Sequence, residues 1–88
     1  MWFIRLVKNK NPQSKQRTQW FDEKRAEAEK WGVKFHQTFF TLGRYDVVTI
    51  FEAPDEKTAM RYGLSVMSEA ASETLVAVSR EEVSSWMK

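Results

Sequence analysis

The chain has 88 residues, 14 Lys or Arg against 12 Asp or Glu, and no Cys, so it reads as one domain over 1–88 without disulfides, thiolate metal sites or cysteine nucleophiles. A single His makes no His-based zinc site, and neither a metal nor a cofactor is expected. No apolar run approaches the ~18 residues of a membrane span, and Arg5, Lys8 and Lys10 interrupt any signal-peptide core, so a cytoplasmic location is expected.

Residues 2–8, rich in aromatic and β-branched types, predict a first strand. Asn9 to Gln13, with two Asn and a Pro, predict a loop. A helix is expected from about Ser14 to Trp31, with Gly32 at its C-terminal cap. Val33 to Leu42 alternates and predicts a second strand, with Phe35, Gln37, Phe39 and Thr41 on one face. Gly43 and Arg44 then form a tight turn, and Tyr45 to Ala53 is a third strand in antiparallel hairpin with the second. Asp55 is the expected N-cap of a second helix. Met60, Gly63, Leu64 and Met67 fall at helical spacing as its buried stripe, with Gly63 explained by close approach to the sheet. Thr74 to Val78 is a fourth strand. Ser79 and Glu82 form a capping-box pattern for a short last helix whose apolar side is Val83, Trp86 and Met87.

This order predicts an α+β, ferredoxin-like βαββαβ fold with a short C-terminal helix. Two helices then cover one face of a four-stranded antiparallel sheet. In a monomer the other face should be polar. Both faces of the first and third strands are largely apolar, however, and a second face carried by Phe3, Val7, Val47 and Phe51 would be a large exposed patch. Its simplest cover is the sheet of a second copy, and a homodimer is expected.

Thr41 to Val48 (Thr-Leu-Gly-Arg-Tyr-Asp-Val-Val), followed by Glu52-Ala53-Pro54-Asp55, resembles the motif of the GYD-domain family. Glu73-Thr74-Leu75 resembles that family's fourth strand, and Lys24 to Ala28 its first helix. The resemblance implies a ferredoxin-like dimeric α/β barrel and carries over no catalytic residue. Asn9 to Phe21 departs from the pattern. The Gly43-to-Asp46 turn is also similar to a Gly-x-Tyr-Asp stretch in the ligand domain of leucine-responsive regulators, whose helix-turn-helix this chain lacks.

Arg5, His36, Arg44, Tyr45 and Asp46 are the candidate ligand-binding residues. Arg44, Tyr45 and Asp46 would rim a cleft, with Asp46 accepting from turn amides or pairing with Arg44. His36 is the one side chain with an ordinary pKa near 6.5. It alternates with Lys34 and Thr38, and the sequence places no acid beside it. The reading that follows is a homodimeric binding or regulatory module for a small metabolite. A small cofactor-free enzyme is the alternative, with a polar group among His36, Tyr45, Tyr62, Arg5 and Glu52 inside an enclosed pocket.

Charge suggests a third class. Residues 1–34 carry nine basic and four acidic side chains, and 35–88 carry five and eight. The basic stretch from Arg5 to Arg17 and the aromatics Phe3, Tyr45 and Phe51 permit single-stranded RNA binding in the manner of RNA-recognition motifs. Gly43 to Phe51 does not match their RNP1 pattern, and nucleic acid is not the expected partner.

Overall fold

A computed structural model describes residues 1–87. The elements run β1 (Trp2–Asn9), α1 (Lys15–Lys30), β2 (Lys34–Phe40), β3 (Val47–Glu52), α2 (Glu56–Ser65), β4 (Ala70–Ala77) and α3 (Arg80–Trp86). The strands form one antiparallel sheet in the order β2-β3-β1-β4. This is the ferredoxin-like α+β arrangement with an added C-terminal helix. β4 starts four residues before the expected Thr74, because Ala70 to Glu73 continue the pairing with β1 as far as Asn9.

All three helices start on side chains suited to the task. Ser14, Asp55 and Ser79 sit in extended backbone and accept hydrogen bonds from the N–H groups of Arg17, Thr58 and Glu82. Each satisfies an amide that the helix itself leaves unpaired. α1 ends at Trp31, and Gly32 follows with φ +95°, the left-handed conformation that glycine adopts without steric cost.

The core lies between the sheet and the helices. Phe3 of β1 and Phe51 of β3 stack at 5.3 Å between ring centroids. Tyr62 of α2 meets Phe35 and Phe51 edge-on. Ala28, Val33, Ala53, Ala59 and Val66 complete the buried cluster. The helices therefore cover the face of Phe3, Arg5, Val7, Val47, Thr49 and Phe51. The expectation that Phe3, Val7, Val47 and Phe51 form the exposed second face is thereby corrected. The open face carries Trp2, Ile4 and Leu6 of β1 with their partners Glu52, Ile50 and Val48 of β3 and Ala77, Leu75 and Glu73 of β4. With both sides of these strands apolar, alternation alone could not tell which one the helices cover.

Two further expectations are overturned. β2 does not alternate cleanly: its register on β3 shifts between Phe35 and Gln37. Around this bulge Phe35 packs into the core, whereas Gln37 and Phe39 stand opposite Ile50 and Val48 on the open face. His36 is the extra residue, so it shares no polar register with Thr38, which lies opposite Thr49 on the helix side. On α2 the buried residues are Ala59 and Tyr62, with Val66 just beyond. Met60, Leu64 and Met67 are 66%, 58% and 55% exposed. The helix is rotated so that the small Ala59 and the Tyr62 ring meet the sheet. Gly63 has no close approach to explain it, since a Cβ there would meet nothing within 4 Å. Val83 and Trp86 of α3 and the following Met87 are also exposed. Among the described residues, no helix is long and apolar enough to cross a membrane.

Candidate functional site

The sequence candidates fall on two sides of the sheet. Tyr45 reaches the open face, where its hydroxyl donates to Glu73 Oε2 at 3.0 Å. That bond, first, and then partial desolvation and the Glu73 charge hold the phenol above its ordinary value of 10.0, against the opposing pull of Arg44. Arg44 lies over the Tyr45 ring at 5.8 Å. Asp46 takes hydrogen bonds from the Asn9 N–H and Lys8 Nζ instead of pairing with Arg44. It thereby fastens the turn to the end of β1.

At the opposite end of the open face, His36 Nε2 lies 2.8 Å from Glu52 Oε1, and its ring stacks on Trp2 at 4.6 Å. An acid does stand beside the histidine. It comes from the neighbouring strand, where Glu52 lies opposite Lys34 just before the bulge. His36 and the Arg44-Tyr45-Asp46 turn do not meet in a common cleft.

Arg5 sits alone on the other side. It is 3% exposed, in the middle of β1 between Phe3 and Val7 on the helix-covered face. Its Nε and Nη2 are buried without a hydrogen-bond partner. The guanidinium lies 5.3 Å from the Tyr62 ring centroid. Burial, foremost, lowers its pKa below the ordinary guanidinium value; Tyr62 opposes that lowering and Arg25 adds to it.

Arg5 borders a cavity of about 160 Å³ between α1 and the sheet, whose apolar wall includes Val7, Phe21, Phe40, Val47 and Tyr62. Arg25 of α1 lines it too, donating to Thr49 Oγ1 at 3.2 Å and lying 4.9 Å over the Phe35 ring. Arg25 escaped the sequence reading because it sits among helix formers on a largely polar helix. The available signal was Arg5 itself, a charge in an otherwise apolar strand register. A larger groove of about 590 Å³ runs between α2 and β4, but it is open and shallow, with Met60, Leu64 and Met67 on its rim.

The model of the family described as GYD domain matches residues 1–87. The chain belongs to the GYD-domain family. The Gly43-Arg44-Tyr45-Asp46 stretch lies in the β2–β3 connection of this GYD domain. There Gly43 takes φ +108° and Thr41 pairs back to Asp46 O at 2.8 Å. Asp46 N–H in turn donates to Val7 O. The motif thus closes the hairpin and binds it to the central strand. No curated protein matches this GYD domain.

Proposed function

We propose that this GYD domain is a homodimeric module that binds a small metabolite. The observation that carries the reading is the division of the sheet. One face has an apolar centre, with polar side chains such as Glu52 and Glu73 around it, and carries no helix; the other holds a small cavity with a buried polar group at its wall. Trp2, Phe39 and Leu75 on the open face are 36%, 51% and 46% exposed, and Ile4, Leu6, Val48 and Ile50 lie between them. A continuous apolar surface of this kind is characteristic of an interface. A second copy supplies a flat sheet of the same composition, and packing the two face to face gives a dimeric α/β barrel. The cavity then remains on the outer, helix-covered side of each sheet, free to take a ligand.

Light scattering at micromolar concentration tests the assembly. The expected mass is twice the 10.4 kDa of the chain. Ile50→Asp places a carboxylate in the centre of the interface, at a cost of several kcal/mol, and should yield a folded monomer. A monomeric wild-type protein would overturn the dimer.

A further inference from the structure

We infer that the cavity between α1 and the sheet is a binding site for a small monocarboxylate, held by the guanidinium groups of Arg5 and Arg25. The inference deepens the small-molecule reading above and rests on it.

An arginine on a central strand under two helices is an expensive residue to keep. Desolvating a guanidinium is unfavourable unless an acceptor replaces the lost water. Arg5 has no such acceptor: Nε and Nη2 are both unpartnered, and among the described residues no carboxylate forms an ion pair with it. Nε together with one terminal nitrogen is an edge that matches the two oxygens of a carboxylate in bidentate geometry. Arg25 lines the same cavity and is likewise without an ion-pair partner. The faces of both guanidinium groups rest on aromatic rings, Tyr62 and Phe35, which hold them in place without neutralising them.

The lining also sets the charge and size of the ligand. Asp22 is the one acidic side chain in the wall, so two guanidiniums against one carboxylate leave a single positive charge. A monoanion neutralises that charge; a phosphate dianion overshoots it. The volume of about 160 Å³ is close to that of a cavity that accepts one benzene ring. The apolar wall of Phe21, Phe40 and Val47 suits an aromatic ring or a short alkyl chain. Asn9, Gln13 and Phe40 border both this cavity and a shallow depression beside the β1–α1 loop, which marks the way in. Lys10 and Asp46 both line that outer depression, so the entrance carries no net charge and the attraction for an anion comes from the two arginines within.

The test is calorimetric titration of the full chain with benzoate, hexanoate, the neutral isostere benzamide and inorganic phosphate. Benzoate or hexanoate should bind at least tenfold more tightly than benzamide or phosphate. Arg5→Met and Arg25→Met should each weaken the acid at least tenfold and leave benzamide unaffected. Thermal melts give a second readout. Because the unpaired guanidinium destabilises the empty protein, Arg5→Met should raise its melting temperature by roughly 5 °C. If Arg5→Met does not fold, Arg25→Met carries the affinity test, and Arg5 is shown to be structural. Equal affinity for benzoate and benzamide would overturn the carboxylate assignment and leave the binding module standing. Tighter binding of phosphate would replace the monocarboxylate by a phosphate group. Binding of none of the four at millimolar concentration would overturn the cavity as a ligand site, and the small-molecule reading with it.

Discussion

The backbone N–H of Asn9 donates to Asp46 Oδ2 at 2.8 Å, joining the last residue of β1 to the β2–β3 turn. This bond, with Lys8 adding a smaller effect against partial desolvation, lowers the Asp46 pKa below its ordinary 3.8. Asp55 is lowered too, by the Thr58 hydroxyl and then by its N–H. An acid whose folded pKa is depressed stabilises the fold at pH above its unfolded value and loses that contribution as pH falls through the folded one. The melting temperature should therefore be flat near neutrality and fall below roughly pH 4. Asp46→Asn should lower it at neutral pH and make its acid limb shallower. Circular dichroism melts of the two proteins from neutral to acid pH measure this, and parallel acid limbs would count against it.

Gly32 and Gly43 both have positive φ, but only one of them is confined. A Cβ on Gly32 would stand 2.8 Å from Pro54 Cγ, whereas one on Gly43 meets nothing within 4 Å. Gly43→Ala should cost about 1–2 kcal/mol, the conformational penalty alone. Gly32→Ala should cost more, because the ring at the β3–α2 junction must also shift. Urea unfolding of the two variants ranks them, and the reverse order would refute the packing argument.

The His36–Glu52 contact is partly exposed, at 27% and 37% of side-chain surface. A pair of this kind contributes little, about 0.5 kcal/mol. A double-mutant cycle of His36→Gln and Glu52→Gln should return a coupling of that size, falling with added salt. The pair stands at one end of the open face, so a coupling of several kcal/mol would place it inside the proposed dimer interface rather than at its solvated rim.

No appreciable affinity for single-stranded RNA or DNA is expected near physiological salt. Phe3 and Phe51 are 2% and 0% exposed, so no base can stack on them. Part of the basic segment is already engaged: Arg17 with Glu69, Lys8 with Asp46 and Lys10 with Met67 O. Fluorescence anisotropy with labelled oligonucleotides decides this, and submicromolar binding at about 0.15 M salt would contradict it.

Local chemistry is legible in this sequence, and facing is not. Ser14, Asp55 and Ser79 announce their helices because a cap depends on three or four adjacent residues. The hairpin at Gly43 is legible for the same reason. Which side of β1 lies under the helices depends on the whole sheet, and Ile4 and Leu6 are as apolar as Phe3 and Val7. The bulge at His36 leaves no mark in composition, yet it sends Phe35 and Phe39 to opposite faces. On α2, hydrophobicity pointed to Met60, Leu64 and Met67, while close packing selected Ala59, Tyr62 and Val66. Arg5 was recognisable as a candidate from its register. Its alignment with Arg25 required α1 to be placed over the sheet.

β1 precedes the other strands in sequence, yet it is one of the two inner strands of the sheet. β1 pairs with β3 and with β4, Trp2 opposite Ala77 and Asn9 opposite Ala70. During synthesis β1 is made before β4, and its second edge stays uncovered until residues 70–77 follow. Pairing over such separations is slow, because the intervening loop must close before any contact rewards it. A chain halted before residue 70 would leave the backbone N–H and C=O groups along that edge of β1 unpaired and ready to pair with another chain. Premature termination should therefore yield aggregates rather than a folded fragment.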